Sequence, residues 1–460
     1  MVRMASSRRL TVLAGVTWMT AAWACNTSSG SDDAPLSISA EDGGQSSGSI
    51  EEDAGTVEDD GATVDGAAPP TASMVAMGAS FACVLARDGT VHCWGNNDAG
   101  QLGKDPLSTP TCGASRCSPQ PVKVEGLGPA VKIAAGDDFA CALTRDGFVS
   151  CWGSNAKGQL ATPLVASSFV PRQAIARATD LTAAGRHACV ITTDQLVHCW
   201  GENTCEIFGN KDAVQDVPRR VPGVPQVRQI SVASDAMCVT LLDETALCWG
   251  ADRKGSLGHD LSVVGPQCNG GNFDSKPLHV QGTGSDLPLS PIDDIHMGEG
   301  VACARKKGGQ VLCWGDNTRG AIGQGFAEPS THARAVEVPA LIAKKLDVRG
   351  QTACVITADR VLCWGDGRFG QLDTLGPVPA CGNQVCRALP YVIPSMSPVR
   401  ELSVGPGSIA TIKTDLSLWT WGRNGSGELG IGPTDGANQA CPGAPCRVAP
   451  RSVSGVPVLQ

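Results

Sequence analysis

Seven near-copies of one Trp-Gly string, spaced 48 to 65 residues apart in a chain of 460 residues with 56 Gly and 30 Pro, predict an all-β fold, a seven-bladed β-propeller. The strings begin with VHCWGNNDAGQLG (91–103), VSCWGSNAKGQLA (149–161), VHCWGENTCEIFG (197–209) and ALCWGADRKGSLG (246–258). VLCWGDNTRGAIG (311–323), VLCWGDGRFGQLD (361–373) and LWTWGRNGSGELG (418–430) complete the set. Apolar residues, 42% of the chain, suffice for a core. So much Gly and Pro leaves little room for long helices, which rejects a coiled coil or a helical bundle.

The two ends suggest how the ring closes. Inside the array each string follows a segment like QPVKVEGLGPAVKIAAGDDFACAL (120–143). The first string is preceded only by the second half, ASMVAMGASFACVL (72–85), and the last is followed by a first half, APRSVSGVPVLQ (449–460). N- and C-terminal segments sharing one blade are therefore expected to lock the ring. The propeller is placed at 73–460.

The stretch before it has another character. Residues 1–25 join a basic start (MVRMASSRR), an apolar run of about fifteen residues and AWAC at 22–25, the layout of a signal peptide with a lipobox-like end. Cys25 is then the expected lipidation site; the alternative is cleavage after Ala24 and a free exported protein. Residues 26–72 are rich in Ser, Gly, Ala, Asp and Glu, and read as an acidic, disordered linker. That linker holds most of the net charge of −9, so the rest is nearly neutral and offers no basic face for nucleic acid.

The pattern Ala-Cys-x-Leu, Asp-Gly, Trp-Gly-x-Asn and Gly-Gln-Leu-Gly resembles the regulator of chromosome condensation repeat, and the resemblance covers 73–460. It implies a seven-bladed propeller. The family name also implies guanine-nucleotide exchange on a small GTPase, although no segment here matches an exchange motif. An exported bacterial member of the same fold inhibits β-lactamases, a third reading. This chain departs from the eukaryotic members in placing Cys before Trp-Gly, where an aromatic is common.

Those cysteines point to disulfides. Of 21 in the chain, twelve form the pairs Cys83–Cys93, Cys141–Cys151, Cys189–Cys199, Cys238–Cys248, Cys303–Cys313 and Cys354–Cys363. Each pair flanks a hairpin such as CVLARDGTVHC. With Gly89 left-handed in a three-residue loop, Ala86 opposes Thr90, and counting back sets Cys83 opposite Cys93. In the sixth repeat a loop shorter by one residue restores that opposition. In the seventh both cysteines are replaced together, by Ala410 and Thr420. Zinc is the rival, but its ligand spacing is absent. Cys112–Cys117, Cys381–Cys386 and Cys441–Cys446 close short turns in the insertions of the first, sixth and seventh repeats. Cys205 and Cys268 remain to pair between the third and fourth.

Chemistry is harder to find. No nucleophile elbow, zinc-protease helix, phosphate loop or calcium loop appears, so neither a cofactor nor a metal is expected. His92 and His198 recur at one position, as solvent-facing strand residues would. Asp137 with Asp138, and Asp293 with Asp294, should point to opposite faces of a strand and make no joint site. A catalytic set assembled across the central channel stays open, as a propeller hydrolase. The variable loops 104–119, 373–388 and 432–447, with Arg116, Arg387 and Arg447 at or beside their turns, form a candidate partner-binding patch. The leading reading is a non-enzymatic, monomeric scaffold in the cell envelope that binds a protein or an envelope polymer. Its expected contact with a membrane, the outer membrane or cell surface, is through the lipid anchor only.

Overall fold

A computed structural model describes residues 72–112, 114–163, 165–260, 266–268, 271–282, 284–358, 360–373, 381, 385–432, 439–441 and 444–455. The expected signal segment, Cys25 and the expected linker up to residue 71 lie outside the described residues. Ala72 already opens the first strand.

Seven antiparallel sheets follow one another along the chain. Their blades span 72–123, 130–175, 178–220, 227–279, 292–342, 345–392 and 399–452, numbered one to seven here. The first three strands of each are joined by tight turns, and a fourth, outermost strand returns after the Trp-Gly string. Blades one, four and seven add a short fifth strand at the outer edge: Thr111–Cys112, Gln267–Cys268 and Gln439–Cys441. First strands of neighbouring blades touch all the way round, and that of blade one touches both blade two and blade seven. The ring is closed.

It does not close by a shared blade. Ala444–Ser452 pairs with Leu418–Arg423 of its own blade seven, while Ala72–Met77 pairs with Phe81–Ala86 of blade one. The expectation misplaced the blade boundary. Ser115–Lys123 is the outer strand of blade one, and Ala130–Ala135 is the inner strand of blade two. What resembles a missing first half at the end of the chain is therefore the outer strand of blade seven. The seam is sealed by packing: Ala72, Val75, Met77 and Trp94 form one buried cluster with Ala410, Ile412, Leu418 and Val453.

The seven motif tryptophans explain every seam. All are fully buried. Each indole Nε1 donates to a carbonyl in the Gly-Gln-Leu-Gly segment of the preceding blade: Trp152 to Gln101, Trp200 to Gln159, Trp249 to Ile207, Trp314 to Ser256, Trp364 to Ala321 and Trp421 to Gln371, at 2.7 to 2.9 Å. Trp94 donates to Glu428 of blade seven at 2.9 Å, which makes the closing seam like the others. The Asn three residues after Trp shapes the acceptor segment. Oδ1 of Asn97 accepts the Leu102 N–H at 3.0 Å while its Nδ2 donates to the Lys104 carbonyl at 3.2 Å. Asn155 and Asn203 do the same for Leu160 and Phe208.

Outer strands are bulged opposite the tryptophan, and six of the seven carry Pro there: Pro121, Pro171, Pro218, Pro277, Pro390 and Pro450. A bulge on an edge strand suits a residue with no N–H. Blade five has Ala335 at that position, and its N–H donates to Gln281 in the insertion after blade four, at 3.0 Å.

If all seams are equivalent, Trp94→Phe and Trp249→Phe each lower the urea unfolding free energy by about 2–3 kcal/mol, through one lost bond and one stranded carbonyl. A cost for Trp94→Phe that differs from the other by more than a factor of two would show the closing seam to be of another kind.

Candidate functional site

The hairpins place the cysteines first. Gly89 has φ of +85°, and the Ala86 N–H donates to the Thr90 carbonyl at 2.8 Å. Cys83 then lies opposite Cys93, and the same opposition recurs in blades two to six, including Cys354 with Cys363. All six pairs are bonded, with Cα–Cα distances of 4.0 to 4.2 Å. In blade seven Ala410 opposes Thr420, whose hydroxyl donates to the Leu429 carbonyl at 2.6 Å. Cys112–Cys117, Cys381–Cys386 and Cys441–Cys446 are bonded as well. Cys205 and Cys268 join blades three and four.

Loops after the Trp-Gly strings lie at the same end of the ring as the turns between first and second strands. Much of 373–388 and 432–447 falls outside the described residues. Arg116 is occupied locally. Its N–H donates to Asp98 at 2.7 Å and its Nη1 to the Thr109 carbonyl at 3.1 Å, fastening the loop of blade one. Arg387 is half-buried with its guanidinium over the Tyr391 ring, 4.1 Å from the centroid. Arg447 holds the same register in blade seven, opposite Gly422 as Arg387 is opposite Gly365. The blade-one counterpart is Ser118, opposite Gly95, so the three arginines are not a repeated triplet.

First-strand side chains line the central channel in tiers. The outer tier is Met74, Lys132, Asp180, Gln229, Asp294, Lys345 and Glu401, and the next is Ala76, Ala134, Thr182, Ser231, His296, Asp347 and Ser403. They enclose a cavity of about 460 Å³. Most polar groups here are spent on the next blade. Lys132 pairs with Asp180, Lys345 with Glu401 at 2.6 Å, and Gln229 bonds both the N–H and carbonyl of Ile295. Asp347 accepts the Val404 N–H at 2.7 Å and lies 3.3 Å from His296 Nδ1. Burial opposes protonation of His296, but the bond to Asp347 and the charges of Asp294 and Asp347 outweigh it and raise its pKa.

The paired acids depart from expectation. Asp137 and Asp138 sit in the turn between two strands, not on a strand. Asp293 and Asp294 converge on Arg305, at 2.5 and 2.8 Å, because the pairing register shifts between Ile292 and Asp294. One guanidinium bridges both carboxylates and leaves the group one net negative charge. His92 and His198 are half-buried, and burial lowers the pKa of His92. Among the described residues no three His, Cys, Asp or Glu side chains gather as metal ligands.

At the loop end a second cavity, of about 370 Å³, is lined by Arg253, Asp316, Arg349, Asp366, Phe369 and Arg423 among others. Its charges are largely matched. Arg253 pairs with the buried Asp235, Arg423 with the buried Glu428 at 2.9 Å, and Arg368 with Asp366 at 2.7 Å. Lys254 pairs with Asp316 at 3.1 Å.

One buried titratable group escaped the sequence reading. His187 holds the position, opposite a motif Gly, that Phe81 and Phe139 hold in blades one and two. It is fully buried, edge-on to Phe208 with centroids 5.7 Å apart, and neither ring nitrogen has a hydrogen-bond partner. Burial and the Arg349 charge push its pKa down to about 3. Comparing GRHACV with ASFACV and DDFACA would have exposed the substitution.

Comparison with known proteins agrees with the repeat. The model of the regulator of chromosome condensation (RCC1) repeat matches residues 88–143, and a second model of that repeat matches 130–159 and 179–206. The human E3 ubiquitin-protein ligase HERC2 is 24% identical over 375 residues, covering 75% of this chain and 7% of that protein. The ultraviolet-B receptor UVR8 of Arabidopsis thaliana is 23% identical over 363 residues, covering 78% of this chain and 66% of that one. The chain thus spans a small fraction of the first relative and just under two thirds of the second. Among solved structures, Prp20p of Saccharomyces cerevisiae superposes with a TM-score of 0.62 at 16% identity, covering 84% of this chain and 87% of that one. Human WBSCR16 gives 0.63 at 19% identity, with 79% and 94% covered. These structural likenesses are likenesses of fold.

His187 sets an acid limit whose sign is definite. Its folded pKa, about 3, lies below the ordinary 6.5, so its contribution to stability is whole above pH 6.5 and is lost as pH falls toward 3. The full loss amounts to about 5 kcal/mol at most. His187→Phe, which copies blades one and two, should move the acid unfolding midpoint down by about half a pH unit or more, read by fluorescence. An unchanged midpoint would remove His187 from the acid response.

Proposed function

Because the chain is a seven-bladed propeller of regulator of chromosome condensation repeats, we propose that it is a non-enzymatic binding scaffold that works outside the cytoplasm, holding a protein partner on its loop surface. The observation that carries this reading is the set of ten disulfides among the described residues. Such a set forms and persists in oxidising compartments and not in the cytosol. Three of the ten pin turns in the variable loops, which lowers the ordering cost of association. The channel, where a propeller enzyme would gather its groups, spends its polar side chains on holding blades together.

Export and a lipid anchor complete the proposal. Cys25 at the end of AWAC would carry the lipid, and residues 26–72 would hold the ring away from an envelope membrane, with Arg387 and Arg447 as partner contacts beside the pinned turns. Prp20p is described by its binding to Gsp1p and histones and, as yeast RCC1, was solved bound to Kap60. Those likenesses favour a protein partner in general. They do not favour the same partners, because at 16% identity the likeness is one of fold. The ligase activity of HERC2 belongs to a protein of which this chain matches 7% and is not carried over.

The test is capture from envelope fractions with the native oxidised chain, beside a variant with Cys381 and Cys386 both changed to Ser. One stoichiometric protein, held at least tenfold less well by the variant, is expected. A chain that captures no protein from any envelope fraction would overturn the scaffold reading. Labelled fatty acid that enters the native chain but not Cys25→Ser would establish the anchor, and equal labelling would remove it.

A further inference from the structure

The third tier of the channel is built differently from the two above it. Here the first strands turn toward the second, and six blades contribute Gly78, Gly136, Ala184, Ala233, Gly298 and Gly405. Close approach between blades explains part of this. A Cβ on Gly298 would stand 2.1 Å from the Gly350 carbonyl of blade six, and one on Gly78 would stand 2.9 Å from the Gly136 carbonyl of blade two. Blade six places Arg349 at the same register, opposite Thr352.

That side chain crosses the ring. Its Nη1 donates to the Ala183 carbonyl of blade three at 3.1 Å, and its Nη2 makes a longer contact, 3.5 Å, with the Ala135 carbonyl of blade two. Blades two and three are the pair farthest from blade six in a ring of seven. Arg349 lines both the 460 Å³ cavity and the 370 Å³ cavity, so it stands between them.

We infer that Arg349 is a crossbar that divides the central channel into two blind chambers and clamps the seam between blades two and three. The clamped carbonyls flank a direct link across that seam, where the Asp137 N–H donates to the Gly185 carbonyl at 2.7 Å. Planar geometry suits such a clamp, because one guanidinium offers two donors to two acceptors whereas an ammonium is a single point. Burial lowers the Arg349 pKa while Asp137, Asp347 and Glu299 raise it, and an arginine stays protonated under such opposing influences. A molecule entering either mouth meets a charged floor and cannot thread the ring.

Two variants of the whole oxidised chain separate the two roles. Arg349→Gly copies blades one, two, five and seven and removes both bulk and donors; Arg349→Met keeps bulk without donors. Hydrogen exchange at the Asp137 amide should quicken at least tenfold in both, relative to the Ala233 amide, which bonds within its own turn in blade four. Crystals of Arg349→Gly should show one continuous water-filled channel, and those of Arg349→Met two chambers. Unchanged exchange at Asp137 in Arg349→Met would overturn the clamp, and chambers still divided in Arg349→Gly would overturn the crossbar. Should Arg349→Gly fail to fold, the exchange of Arg349→Met decides the clamp, and Arg349→Ala crystals decide the division.

Discussion

Each blade of this ring leans on its neighbour through one hydrogen bond from a buried indole to a backbone carbonyl. A four-stranded sheet cannot bury both faces alone, so a blade has no stable existence outside the array. Dispersion between faces supplies most of the attraction but little angular preference. The indole N–H supplies direction. It needs an acceptor once buried, and the acceptor must be held at one place by the Asn that folds the Gly-Gln-Leu-Gly segment back on itself. Trp and the Asn three residues after it, present together in five of the seven blades, therefore form one device split over two blades. Repetition also solves closure. Trp94 finds in Glu428 the same carbonyl that Trp152 finds in Gln101, so no shared strand is needed to lock the ring.

Constraint then accumulates in layers. The hairpin disulfides close loops of about eleven residues, each contributing roughly 2–3 kcal/mol on a chain-entropy account, and they act within single blades. Cys205–Cys268 spans 63 positions between blades three and four, and on the same account contributes about 4 kcal/mol across a seam. Nearest the axis, the charged pairs Lys132–Asp180 and Lys345–Glu401 and the contact of His296 with Asp347 tie first strands to their neighbours. His296 and His187 have opposite pKa displacements because one has an acid beside it and the other has only apolar walls and a distant cation. The ring therefore gains from protonation at one histidine and loses by it at the other.

Most of the fold was legible because its signals are periodic. Seven Trp-Gly strings give the blade count, and the hairpin arithmetic that sets Cys83 against Cys93 survives the one-residue deletion in blade six and the double replacement in blade seven. Boundaries were less legible. A repeat read from Trp to Trp cuts the chain inside the third strand of a blade rather than between sheets, which made the last outer strand resemble half of the first blade. The recurring Pro of six outer strands, one residue before the partner of Cys93 and its equivalents, lies close to where those sheets end and could have corrected that frame. Asp293 and Asp294 misled for a related reason, since a register shift invisible in the alternation of side chains turns both toward Arg305.

What periodicity hides is the single exception. Arg349 among glycines and alanines is one residue in one blade, and its meaning depends on what the other six leave empty. Six small residues at the third tier leave a hole, and Arg349, the long polar seventh, reaches across it to the carbonyls of blades two and three. In a ring whose interior is thus occupied and whose seams are tied, freedom to vary remains in the loops after the Trp-Gly strings. These are the segments whose length and composition differ from blade to blade, and three of them are themselves closed by short disulfides. The ring thus ties its blades and seams together, and short disulfides close three of the loops that remain. On the proposed scaffold reading, association would cost little ordering, and specificity would rest on the surface that the pinned turns present.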